Sequence, residues 1–127
     1  MKVFLAIAAL TIGIACQGPT DVIGGRLDVR AGSSHLELTN HSPAAVYYNA
    51  KPGGYGPAED WGPCIDPESC DGIAPGERLD LPYSVMPEFE SGHRTVWVYW
   101  WHLVPTKSES GFRADSIRTV VVEVDGT

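Results

Sequence analysis

The chain has 127 residues, with 16 Asp and Glu against 9 Lys and Arg and a formal net charge of −7. That length supplies one modest hydrophobic core and excludes two independent domains. The acidic balance excludes nucleic acid as a partner and excludes attachment to bare anionic lipid by charge, because both need clustered cations.

The chain opens MKVFLAIAALTIGIAC, a single Lys2 followed by an apolar run and a small residue, Ala15, before Cys16. The run falls well short of the roughly 20 residues that span a bilayer as a helix, so it reads as the apolar region of an export signal. Gly13, Ile14, Ala15 and Cys16 resemble the lipobox of bacterial lipoproteins. That resemblance implies removal of residues 1–15, lipidation of Cys16, and attachment to the cell envelope on its periplasmic or extracellular face. Gln17 stands where that family carries an aspartate for inner-membrane retention, which implies the outer membrane in a cell that has one. An ordinary secretory signal cut after Ala15 is the other reading of these residues. Several acyl chains, at about 0.8 kcal/mol per buried methylene, would hold the protein stably at the membrane.

Residues 16–25 then form the lipidated cysteine and a short Gly- and Pro-containing tether (QGPTDVIGG). Residues 26–125 are expected to form one β-domain, because from Arg26 the apolar pattern takes a period of two and no window keeps a helical period. Leu27 and Val29 mark a first strand, Leu36 and Leu38 a second, Val46 and Tyr48 a third, and Leu79 and Leu81 a fourth after the Ala74-Pro75-Gly76 turn. Residues 95–104 (TVWVYWWHLV) are apolar on both faces, as a central covered strand would be. Residues 115–124 close the chain, with Val120, Val122 and Val124 on one face and Ile117, Thr119 and Val121 on the other. Six or seven strands between Gly/Pro turns predict an all-β, antiparallel two-sheet sandwich. LELTNHSPAAVYY and the later IAPGERLDL resemble strands of immunoglobulin-like domains of bacterial envelope proteins. The likeness implies an immunoglobulin-like sandwich and no particular function.

Cys64 and Cys70 remain as a pair once Cys16 is assigned to lipid. Their spacing fits neither CxxC redox chemistry nor a zinc site, so a structural disulfide is expected, pinning the second half of the long connection over residues 51–76. Loops held on a rigid framework carry binding more often than strands do, and this one offers Tyr55 and Trp61.

On the apolar strand, Trp97, Tyr99 and Trp101 share one face and Val96, Val98, Trp100, His102 and Val104 the other. The three rings are either covered by the long loop with Trp61 or exposed as a ladder for sugar rings or a protein partner. The five residues Trp97, Tyr99, Trp101, Tyr55 and Trp61 are therefore the candidate binding surface. His102 is read as a core or rim histidine that hydrogen-bonds within the domain.

Chemistry is sparsely signalled. Glu59, Asp60, Asp66, Glu68 and Asp71 lack the regular oxygen spacing of a calcium loop, and His35, His41, His93 and His102 lack the Cys-His-Met run of a copper site. No GxSxG elbow or free thiol marks a nucleophile. The reading is of a noncatalytic envelope protein without a cofactor, acting as a binding or assembly module for an envelope protein or polysaccharide. A carbohydrate-binding module on the aromatic strand is the first alternative, and calcium or copper binding the second.

Overall fold

The computed structural model describes residues 22–86, 95–107 and 111–124. The signal run, Cys16, the first part of the tether and His93 lie outside the described residues. Among those described, nine strands follow in chain order: β1 (Arg26–Ala31), β2 (His35–His41), β3 (Val46–Pro52), β4 (Gly72–Ile73), β5 (Arg78–Pro82), β6 (Thr95–Trp101), β7 (Leu103–Pro105), β8 (Phe112–Ala114) and β9 (Arg118–Glu123). A 3₁₀ turn over Tyr83–Val85 follows β5. No described helix is long and apolar enough to cross a membrane.

Leucine alternation builds the first sheet, ordered β1-β2-β5. Its antiparallel register sets Val29 opposite Leu38 and Leu38 opposite Leu79, so one row of apolar side chains crosses all three strands. The intervening residues His35, Glu37, Arg78 and Asp80 take the opposite face, as a period of two requires.

The second sheet is ordered β4-β3-β6-β9, again antiparallel throughout. Its inner residues Val46, Ile73, Val96, Val98 and Trp100 join Leu27, Leu36 and Leu38 of the first sheet in one buried cluster, which Tyr83, Met86 and Val124 close. Each fully buried aliphatic side chain there contributes about 1.5–3 kcal/mol. Val120 and Val122 pack against the same cluster while Val121 faces out, as the alternation of β9 predicts.

The all-β class, the antiparallel pairing and the Cys64–Cys70 disulfide are all present, the last with a Cα–Cα separation of 5.8 Å. Three hydrogen-bonded sheets stand where two were expected, because the apolar run over residues 95–104 is not one strand. The backbone breaks at His102, whose N–H donates to Asp115 Oδ1 at 2.9 Å while Asp115 N–H donates back to His102 O at 2.9 Å. Beyond that break β7 and β8 form a separate two-stranded sheet, Val104 opposite Arg113. The final strand accordingly starts at Arg118 instead of residue 115. β4 is two residues long, too short for a periodicity to register, and it confines the long loop to residues 53–71.

Candidate functional site

Pro52 ends β3, and Gly53 and Gly54, both at positive φ (74° and 76°), turn the chain back across the outer face of the second sheet. A Cβ at Gly54 would lie 2.8 Å from Trp97 Cδ2, so glycine is the residue that lets the loop pass over that ring. Tyr55 then stacks on Trp61 with centroids 4.9 Å apart, and Trp61 rests on Tyr99 at 4.8 Å and faces Trp101 at 6.4 Å. Polar groups fix the arrangement: the Tyr55 N–H donates to Tyr99 Oη (3.1 Å), Asn49 Nδ2 donates to Tyr55 Oη (3.0 Å), and Trp101 Nε1 donates to Cys64 O (3.0 Å). Lys51 Nζ lies 5.1 Å from the Tyr55 ring centroid, a cation–π distance.

All five aromatic residues named from the sequence thus come together, but not as an exposed line. Of the three strand rings, Tyr99 and Trp101 are 8% and 1% exposed, covered by the chain's own loop, and Trp97 reaches the surface at 37%, while Tyr55 and Trp61 on the loop are half-buried. Of the two arrangements open from the sequence, covering by the long loop with Trp61 is the one present over Tyr99 and Trp101, whose apolar area holds the loop.

The surface that remains is formed by what the cluster supports. The disulfide closes the turn that carries Ile65, Asp66, Pro67 and Glu68, and Asp66 stabilises that turn by accepting from the Glu68 N–H through Oδ1 and from the Ser69 and Cys70 N–H groups through its carbonyl. Across from it, Thr106 and Phe112 project from the β7–β8 ladder, and between the two lies an open groove of about 570 Å³. Ile65 (48% exposed) and Phe112 (39%) supply its apolar surface, and Asp66 and Glu68 give the disulfide side two carboxylates. Neither Ile65 nor Phe112 stands out in the sequence, because Ile65 lies in an irregular loop and Phe112 opens a strand of only three residues, and each becomes significant only when the fold brings both to one groove.

A second constellation lies where β6 ends. Ser42 Oγ is 2.9 Å from His102 Nε2, and His102 Nδ1 is 3.2 Å from Asp115 Oδ2, a hydroxyl, imidazole and carboxylate in sequence. The His102 and Asp115 side chains are wholly buried. Ser42 Oγ also lies 2.6 Å from Asn40 Oδ1 and 2.9 Å from Ala44 O, so its single proton is drawn to acceptors other than the imidazole. Asp115 further accepts from the Ile23 N–H (3.0 Å), the Ser116 N–H (2.7 Å) and Arg118 Nη2 (3.1 Å), and Arg118 donates on to Ile23 O and covers the Trp100 ring. This network joins the residues before β1, the turn after β2 and the end of the β6–β9 pair, and it holds the described end of the expected tether against the domain. His102 is the internally bonded core histidine that the sequence suggested.

Electrostatics follow from that burial. Burial holds the His102 imidazole below its ordinary pKa, aided by Arg118 and opposed by Asp115. Burial alone would raise Asp115, but the backbone N–H groups of Ile23 and His102 and the Arg118 guanidinium hold it below the usual carboxylate value. Two of the loop carboxylates bond locally to backbone, Glu59 accepting the Gly56 N–H and Asp66 the Glu68 N–H. Comparison of the chain with protein-family models, with curated proteins and with solved structures gives no match.

Proposed function

We propose that the chain is an exported, lipid-anchored envelope protein whose single immunoglobulin-like sandwich acts without catalysis, binding a partner in the groove between the disulfide turn and the β7–β8 hairpin. The sandwich reading is supported by the order β1-β2-β5 in one sheet and β4-β3-β6-β9 in the other, which resembles the A-B-E and C′-C-F-G order of such domains, with β7–β8 read as an extension of the F–G hairpin. The observation that carries the binding reading is that exposed Ile65 and Phe112 line one groove, whose disulfide side is fixed twice, by the disulfide and by the Trp101 bond to Cys64. A wall held in this way binds without first having to be ordered. Apolar surface beside Asp66 and Glu68 suits a protein segment with apolar and basic side chains better than it suits a neutral glycan. The export signal, the lipobox resemblance at Cys16 and the disulfide all point to an oxidising compartment at a membrane.

Two experiments separate address from binding. Wild type and Cys16→Ala are compared for membrane fractionation and acyl-chain mass; a freely soluble, unmodified wild type removes the anchor. A photo-crosslinking residue placed at Phe112 in the producing cell should give a discrete adduct that disappears with Ile65→Asp, while the same residue at Val121 on β9 should give none. Equal adducts at both positions, or none at Phe112, would remove the groove from the reading.

A further inference from the structure

We infer that the outer face of β1-β2-β5 carries a site for a divalent transition cation, ligated by His35 Nε2, Glu37 Oε2 and Asp80 Oδ1. The site lies on the first sheet, away from the groove lined by the disulfide turn and the β7–β8 hairpin, so it stands or falls independently of the binding reading above.

Strand geometry brings the three groups together. His35 and Glu37 are two apart on β2 and therefore share a face, and Glu37 is directly opposite Asp80 on β5. Nε2 of His35 stands 3.5 Å from Glu37 Oε2 and 3.9 Å from Asp80 Oδ1, and all three donor atoms lie within 4.8 Å of one another. Two donors each about 2.1 Å from a tetrahedral Zn²⁺ stand about 3.4 Å apart, so closing this cluster on a cation needs movements of an ångström or less.

The histidine is the part of the cluster that an ordinary charged sheet face does not explain. Nε2 is shielded from solvent and has no hydrogen-bond partner, and its nearest carboxylate oxygen is too distant for the 2.7–2.9 Å of a charge-assisted bond. The ring is nevertheless positioned. Nδ1 meets Ser34 Oγ at 3.3 Å, and the ring edge lies over Gly32, where even a Cβ would stand only 3.7 Å from Cε1 and 3.8 Å from Nε2. An outer hydroxyl on one ring nitrogen, with the other directed at two carboxylates, is how proteins orient a metal-binding imidazole. An imidazole ligand selects zinc, copper, nickel or iron over calcium and magnesium, which prefer all-oxygen sites.

Arg78 is the internal competitor. Its Nε lies 3.0 Å from Asp80 Oδ1 and its Nη1 3.8 Å from Glu37 Oε1, so the guanidinium already neutralises part of the charge that a cation would meet. Glu37 Oε2 is the oxygen nearest His35 Nε2, while the Arg78 Nη1 distance of 3.8 Å is to Oε1. Cation binding therefore displaces Arg78 from Asp80 Oδ1, and the site binds less tightly than the same three ligands would without it.

Zinc chloride titrated into the full-length chain in detergent provides the test, followed by calorimetry and by the ¹⁵N resonances of the histidine side chains. One equivalent should bind and shift His35 Nε2 specifically, while His35→Gln and Glu37→Gln should each weaken binding at least about 10-fold. His41→Gln, which removes the exposed histidine paired with Asp28 on the same sheet, should leave the affinity unchanged. The resonance measurement uses wild type alone, so it decides the matter even where a variant folds poorly. A His35 Nε2 unmoved at one equivalent, binding that survives His35→Gln, or binding lost only in His41→Gln would each overturn the site.

Discussion

The outer faces of the two sheets have met opposite fates. On the second sheet, Trp97, Tyr99 and Trp101 lie in a row that could have been a binding ladder, and the chain has laid its own residues 53–71 across them. On the first, His35, Glu37, Arg78 and Asp80 lie in an equally regular array and are partly or fully open to water among the described residues. Apolar area is removed from water wherever the chain can reach it, whereas a charged face gains nothing by being covered. On the aromatic side, then, exposure must be sought at the margins of the covering loop.

The largest test of this contrast compares two tryptophans on one strand. Trp101→Ala should cost about 3–5 kcal/mol in denaturant unfolding of the full-length chain, because it empties a buried site and frees Cys64 O. Trp97→Ala, four residues earlier on the same face, should cost less, about 2 kcal/mol, because more than a third of the side chain is already in water. Equal losses would mean that the loop does not protect one end more than the other.

Next comes the turn that starts the covering. Gly54→Ala should lose about 2–3 kcal/mol, combining a positive-φ alanine with a Cβ pressed against Trp97. Gly76→Ala shares the positive φ (80°) but meets nothing within 4 Å, so it should lose only about 1 kcal/mol. The difference between the two reports the contact and not the backbone. The double variant Cys64→Ser, Cys70→Ser should lose about 2 kcal/mol on the chain-entropy account of so small a ring, with faster amide exchange confined to residues 53–71. Exchange that rises equally across β1 and β2 would show that the loop is part of the core and not a cover over it.

These particulars indicate what a sequence can disclose. The leucines of β1, β2 and β5 could be assigned to a face because charged residues separate them, and the doubly apolar run around β6 left two readings, a covered second face or a functional one. The break at His102 was hidden, since its cause, Asp115, lies 13 residues away and bonds to backbone that hydropathy does not distinguish. Ile65 opposite Phe112, and His35 beside Asp80, were hidden for the same reason: each is a pairing made by register and loop path, between residues that are unremarkable alone.

The network beneath the two faces should respond to acid. The folded pKa of His102 lies below its ordinary value of 6.5, so the unfolded chain binds the extra proton first. Its contribution is therefore complete above pH 6.5 and declines as pH falls below it; Asp115, also lowered, adds a loss on the same side as pH falls through the carboxylate range around 3.8. Melting temperature recorded from pH 8 to pH 4 should fall, and His102→Gln should flatten the upper part of that fall. A wild type that becomes more stable on acidification through pH 6.5 would mean the imidazole is carried charged in the fold.

The smallest effect belongs to the open face and gives the sharpest contrast with the covered one. Arg78 is more than half exposed and its pairs with Asp80 and Glu37 are surface pairs, which typically contribute about 0.2–1 kcal/mol. Arg78→Ala should therefore barely move the unfolding midpoint, in contrast to the substitutions beneath the loop. The same substitution should tighten zinc binding, because it removes the cation that competes with the incoming metal for Asp80 Oδ1 and sits beside Glu37. A covered face transmits the loss of a side chain into stability; an open one leaves the fold almost unchanged and alters what the exposed groups can hold. Should Arg78→Ala destabilise the protein as much as loss of the disulfide, the charged face is not the independent surface that its exposure implies.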